Sequence, residues 1–255
     1  MRAVQGCGLG QQVLCGKEVL RREEVAQAHA RLHAQCSLAA FTEATAQHGS
    51  LVQSFVRGAE LQAYEHHPGG DVVDLRNGSQ CFYHCHRAGT AEHGHLHLFW
   101  HATAGGRRRH LSRETQRWVR TAPTHLIAIG LDARGLPVSM FTVNRWVSDG
   151  HWFAASQVLG MLQRFRLQAV PGHEAAGRWL THFVQMYLPV AQRLLVQRDA
   201  HLAALSRTRG LAAVLADKRI EATSQTRLNW ARDLARFDHA SAGQRATRLL
   251  ATVQS

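Results

Sequence analysis

Between positions 84 and 101 stand six of the 18 histidines in this 255-residue chain: His84, His86, His93, His95, His97 and His101. Imidazole near neutral pH does two things well, transferring protons and ligating metals. Spacing favours the second. Side chains alternate across a strand, so His93, His95, His97 and His101 share one face while Leu96, Leu98 and Trp100 share the other. On the preceding segment His84 and His86 alternate in the same way with Cys81, Tyr83 and Cys85. If residues 87–92 close a hairpin without a bulge, His86 stands opposite His93, His84 opposite His95, and Tyr83 beside Leu96. That register sends every histidine to one side and the apolar residues to the other. Opposed Cβ atoms lie about 5 Å apart and next-but-one neighbours about 7 Å, so imidazole nitrogens from both strands can meet an ion at roughly 2.0–2.1 Å.

Several protonated imidazoles this close would repel, and a cation bound to their neutral forms removes that cost. The expectation is one divalent transition metal held by His84, His86, His93 and His95, with His97 or Glu92 as a further ligand or as catalytic groups. A nitrogen and oxygen donor set without thiolate suits zinc, iron or manganese, and also copper. Two histidines with one carboxylate and open positions would suit non-haem iron. The reaction predicted is that of a metal-dependent hydrolase or oxygenase acting on a small molecule that the sequence does not name. Histidines scattered elsewhere, among them His29, His33, His48, His110 and His173, keep open the plainer reading of surface decoration, or of a protein that handles metal without catalysis.

Stepping outward from the hairpin, residues 79–147 read as short strands: SQCFYHCHR, EHGHLHLFWH, THLIAIGLD and LPVSMFTVNRWV. Asp132-Ala133-Arg134-Gly135 looks like the turn of a second hairpin. Short connections require antiparallel neighbours, because parallel ones need crossovers of a dozen residues or more. Residues 18–66 carry helical periodicity through Val25, Ala28, Leu32, Cys36 and Ala39, and His67-Pro68-Gly69-Gly70-Asp71 reads as a turn before the sheet. The stretch 105–121 could hold a short helix. From 153 to 255 the helical period returns, with a stripe of Trp179, Phe183, Met186, Val190 and Leu194 that Pro189 interrupts, and a later one of Trp230, Leu234 and Phe237. The fold expected is α+β, an antiparallel sheet of about four strands with helices from both termini on one face, in a single domain over residues 1–255.

Composition narrows the setting. The 45% apolar content is that of a globular chain, and no apolar run reaches the ~18–20 residues of a membrane span. The first residues lack a secretory h-region, and five cysteines without a CxxC pair suggest no disulfide framework, so a cytoplasmic setting is expected. A net charge of +12, almost all from arginine because Lys17 and Lys218 are the only lysines, would be compatible with nucleic acid. No recognisable nucleic-acid motif accompanies it, and the run Arg107-Arg108-Arg109 reads as a solvated loop.

The strings FYHCH, EHGHLHLF and HLIAIGLDARGLPVSMFTVNRWV together resemble a bacterial domain family without an assigned function, over most of residues 60–200. The resemblance implies that Tyr83, His84, His86, Glu92, His93, His95, His97 and the Asn144-Arg145-Trp146 trio form one signature. Locally, His93-Gly94-His95-Leu96-His97-Leu98-Phe99 also resembles the histidine-triad nucleotide hydrolases and transferases, which would make His95 a nucleophile toward an α-phosphate. Gly94 and the long helical C-terminal part depart from that pattern.

Beyond the cluster, Asn144 and Arg145 end the fourth strand, where Arg145 could grip a carboxylate or phosphate and so join the catalytic set. A cap or a strand-end salt bridge is the alternative. Trp146, Trp152 and Phe153 could wall a pocket, His125 could extend the cluster, and Cys81 and Cys85 face away from the histidines in the same register.

Overall fold

The computed structural model describes residues 9–86, 91–102, 109–111, 118–120, 122–168 and 170–237. The chain opens with a long helix, α1 (Leu9–His48), and a single turn, α2 (Gln53–Val56). Strands β1 (His67–Asp74), β2 (Ser79–His84) and β3 (Gly94–His101) follow, then a ribbon of β4 (Arg109–Leu111) and β5 (Trp118–Arg120), then β6 (Pro123–Leu131) and β7 (Pro137–Val143). Four helices come next: α3 (Arg145–Ser148), α4 (Ala155–Arg164), α5 (Glu174–Met186) and α6 (Leu188–Arg209). After α7 (Leu211–Leu215) the chain returns as strand β8 (Ala222–Arg227), and a last helix, α8, covers 230–237.

Six strands form one antiparallel sheet in the order β1-β2-β3-β6-β7-β8, and β4 and β5 pair separately. The fold is therefore α+β, with two strands more than expected. Both additions are edges. The segment read as a turn, His67 to Asp71, is the start of β1, where a register shift between His67 and Val72 absorbs Pro68 and two glycines. Proline and glycine are tolerated at an edge because one side of the strand needs no ladder partner. The far edge, β8, lies inside the region expected to be wholly helical; of 105–121, where a short helix was expected, the described residues 109–111 and 118–120 pair as the β4–β5 ribbon and the rest lies outside the described residues.

The central register follows from side-chain parity. Tyr83 pairs with Leu96, His84 with His95, and Cys81 with Leu98. Beyond β3, His95 pairs with Gly130 and His97 with Ala128, and Ala128 in turn pairs with Phe141. One face thus gathers Cys81, Tyr83, Leu96, Leu98, Ile127, Ile129 and Met140. These residues join a hydrophobic cluster with Ala40 and Ala44 of α1, Leu162 of α4, Trp179 and Phe183 of α5, and Leu194 of α6. Burying each large apolar side chain is worth about 1.5–3 kcal/mol, which ties helices from both ends of the chain to this face. The expected kink falls as a break at Tyr187 between α5 and α6; Pro189 sits in the first turn of α6, where its missing N–H is not required. The second hairpin turn is as expected: Asp132 Oδ1 accepts from Arg134 N at 2.9 Å and Leu136 N at 2.8 Å, and Gly135 takes a left-handed φ of 84°. The other face of the sheet carries the histidines.

Candidate metal centre

Alternation along β2 and β3 points His84, His95 and His97 to the same side, and pairing of His84 with His95 brings the strands' imidazoles into contact. Nε2 of His84 lies 2.6 Å from Nε2 of His95 and 3.2 Å from Nε2 of His97. The three ligand atoms all lie within 4.8 Å of one another, so this group could hold a metal ion. Two nitrogens each about 2.05 Å from a tetrahedral ion stand roughly 3.3 Å apart, a separation these rings reach by small rotations. His95 and His97 are 1% and 3% exposed, and His84 is half-buried.

The outer nitrogens are held as a metal site requires. His95 Nδ1 donates to Glu92 Oε1 at 2.6 Å, and Glu92 Oε2 accepts from Ser139 Oγ at 3.1 Å. A carboxylate only accepts, so the His95 proton sits on Nδ1 and its Nε2 presents a bare lone pair inward. His97 Nδ1 lies 2.9 Å from His125 Nε2. Burial, with the nearby charge of Arg198 adding to it, pushes His125 down to about 3, so this partner is neutral at physiological pH. When His97 donates through Nδ1, its Nε2 also turns a lone pair inward. His84 Nε2 has at most one proton to offer these two acceptors. The donor set therefore fits a cation at the centre better than it fits hydrogen bonds alone.

Space for the carboxylate comes from a missing side chain. A Cβ at Gly130 would stand 2.9 Å from Glu92 Cδ and closer still to Glu92 Oε2 and Ser139 Oγ. A lone glycine in the run LIAIGLD signals such a close approach, and it is the feature of the sequence from which this supporting layer could have been found. Nothing in strand parity links Ser139 to Glu92, and that contact was not foreseen.

Four of the expected site residues take other places. His93 was expected opposite His86 in the metal set, but the β2–β3 ladder ends at the His84–His95 rung. Its backbone N–H donates to Leu131 O at 2.8 Å, and its Nδ1 receives the Tyr83 hydroxyl at 2.6 Å. Tyr83 belongs to the apolar face, and Gly94 leaves room for its phenol: a Cβ there would stand 2.5 Å from Tyr83 Cζ. Burial raises the Tyr83 hydroxyl above its ordinary range, so it donates rather than ionises. His86 stays on the histidine side, its ring centroid 5.0 Å from that of His84 and 5.1 Å from that of His95, but it lies at the mouth, stacked 4.8 Å from Tyr64. Asn144 is fully buried and caps α3, its Oδ1 accepting from Arg145 N and its Nδ2 donating to Val214 O, both at 2.9 Å. A side chain so engaged is structural. Arg145 pairs with Asp149 at 3.8 Å and lines a separate small cavity with His125, His151, Trp152 and Arg198. His101, on the same face as His97, is buried against Gln80 and stands apart from the cluster. Cys81 is buried on the apolar side, where burial raises its thiol.

Above the triad opens a cavity of about 300 Å³ lined by His84, His97, Phe82, Phe99, Tyr64, His66, His86, the Trp146–Ser148 turn and Glu221. His95 is absent from that lining. Trp146 is locked in the wall by donating Nε1–H to Ile220 O at 2.7 Å, and the backbone N–H of Asn144 holds Glu221 O at 2.8 Å. The chain segment before β8 thus closes a site whose three-histidine group comes from β2 and β3 and adds Glu221 to its lining.

Fold and site together define an α+β protein whose antiparallel sheet carries a buried three-histidine group able to hold a metal ion. Residues 31–228 match a family defined by a domain of unknown function, DUF6969, and the chain belongs to that family. No curated protein and no solved structure matches it. No helix among the described residues is long and apolar enough to cross a membrane.

Proposed function

We propose that this protein is a metal-dependent enzyme in which His84, His95 and His97 hold one divalent transition ion, zinc, iron or manganese, with its remaining positions directed into the aromatic cavity. The observation that carries this reading is the convergence of three Nε2 atoms while Glu92 and His125 occupy the outer nitrogens of His95 and His97. Three neutral ligands leave the ion without an anionic direct ligand, Glu92 acting only through His95, and an ion so held acts as a Lewis acid or lowers the pKa of bound water toward ~7. Glu92 fixes the His95 tautomer and orientation, and Ser139 fixes Glu92. His86, at the cavity mouth beside Tyr64, is the imidazole placed to move protons to and from a substrate. The hydrolase and oxygenase alternatives differ in the ion bound.

Attack by His95 on a phosphate has weaker support, because His95 is 1% exposed and is not among the residues that line the cavity. The test is elemental analysis of protein purified without a histidine tag, before and after reconstitution with zinc, iron(II) and manganese. One equivalent of metal per chain is expected, lost in His84→Ala, His95→Ala and His97→Ala and kept in His93→Gln. Folded wild-type protein that retains no metal after reconstitution refutes the proposal.

A further inference from the structure

The walls over the triad have a chemistry distinct from its floor. At about 300 Å³ the cavity stands at the lower end of small-molecule sites, room for one or two fused rings and not for a nucleotide. Phe82 and Phe99 rise from β2 and β3 beside the histidines, their ring centroids 5.4 Å apart and 26° from parallel. His66 lies flat on Phe82, with centroids 3.5 Å apart and planes 11° from parallel, and Tyr64 lies flat on His86. His66 and His86 already cover one face each of Phe82 and Tyr64, so a guest meets this wall along the ring surfaces that the stacks leave open, and a wall built of rings favours planar aromatic guests by offset or edge contact. His84 and His97 meet this wall directly: His97 is 5.3 Å from Phe82, centroid to centroid. A guest stacked on the wall therefore has its edge at the triad. A neutral ligand set around a dication is best compensated by one anionic oxygen, and a ring hydroxyl supplies one when coordination lowers its pKa.

From these placements, and resting on the metal reading above, we infer that the cavity takes a small hydroxylated aromatic molecule, a phenol or catechol, with its ring against Phe82 and Phe99 and its oxygen toward the nitrogens of His84 and His97. The residues that set this preference are Phe82, Phe99 and Trp146.

The test uses the full chain loaded with cobalt(II), whose visible spectrum reports ligation, after one equivalent of bound metal has been verified. Three probes are titrated: 4-nitrocatechol, which has a ring and oxygen donors; acetohydroxamate, which has donors and no ring; and toluene, which has a ring and no donor. The expected result is a spectral change with 4-nitrocatechol at a dissociation constant roughly tenfold or more below that of acetohydroxamate. Toluene should compete without ligating. Phe82→Leu and Phe99→Leu should each weaken 4-nitrocatechol roughly three- to tenfold while metal content stays at one equivalent and acetohydroxamate binding is unchanged. Val147→Trp, which fills the cavity from α3, should abolish 4-nitrocatechol binding with the metal retained, and serves if either phenylalanine variant fails to fold. Metal bound with equal affinity for the two donor probes, and indifference to these substitutions, overturns the inference and leaves the metal reading standing. Failure to load any metal overturns both.

Discussion

Replacing Gly130 by alanine isolates the layer that orients the triad. Gly130 has a backbone that any residue adopts, so the substitution acts through its Cβ alone. That atom would lie 2.9 Å from Glu92 Cδ and nearer to Glu92 Oε2 and Ser139 Oγ, where ordinary contacts begin at about 3.4 Å. Both colliding groups end flexible side chains, so the backbone need not yield. Ser139 can rotate about one bond, but Glu92 can only withdraw, and in doing so it releases the 2.6 Å hydrogen bond to His95 Nδ1. Loss of such a support typically lowers metal affinity about 10- to 100-fold, or roughly 1.4–2.7 kcal/mol. Fold stability should change little, because alanine in a strand gains about 0.5–1 kcal/mol over glycine and offsets the local crowding. The assay is competition for zinc against a chromophoric chelator, run beside thermal unfolding of the apo-protein. A G130A variant that binds zinc like the wild type, with an unchanged unfolding midpoint, would refute the reasoning that Glu92 supports the site through His95.

Saturating apo-protein with the preferred ion at about 100 times its dissociation constant should raise unfolding free energy by about 2.7 kcal/mol, seen as a shift of roughly 5–10 °C that a chelator reverses. Asn144→Ala should cost about 2–3 kcal/mol in denaturant melts, through loss of the α3 cap and of the donor to Val214 O, yet leave metal content intact. Across the α1–α5 interface His33 and His182 stand with Nδ1 atoms 2.9 Å apart, and burial, reinforced by Arg166, lowers both from their ordinary value. The unfolded chain then binds more protons than the folded one below about pH 6.5, so this contribution is complete above that pH and is lost as pH falls. The thermal midpoint should drop between about pH 7 and pH 5, and less steeply in a His33→Gln, His182→Gln double variant, measured by circular dichroism.

Legibility of the fold tracked the constraint on each element. Parity in β2 and β3 puts Cys81, Tyr83, Leu96 and Leu98 on one face and the histidines, accompanied by Phe82 and Phe99, on the other; a one-residue slip would bury imidazoles in the helical core, and hence the Tyr83–Leu96 and His84–His95 rungs could be read directly. Edge strands carry no such pressure. β8, Ala-Thr-Ser-Gln-Thr-Arg, has no alternation of hydrophobicity to mark it as a strand, and β1 opens His-Pro-Gly-Gly, which carries the signature of a turn. His93 was misplaced because alternation was carried past the last hydrogen-bonded rung, where the Tyr83 hydroxyl takes over. The candidate ligands His84, His95 and His97 are visible by spacing, with His97 in a secondary place. Ser139 and Gly130 beside Glu92, and the cavity wall from Tyr64, Trp146 and Glu221, come from segments distant in sequence and joined only by the sheet order.

The last strand to pair is also the one whose approach segment seals the cavity, through Ile220 and Glu221. The imidazole hairpin ends at His101 and β8 begins at Ala222, a lag of about 120 residues during synthesis. At ~5–20 residues per second the nascent chain carries its three imidazoles for roughly 6–24 s before the enclosing wall exists. On the metal reading an ion can reach the imidazoles before closure, and a chain cut short of residue 220 would keep His84, His95 and His97 while losing that wall.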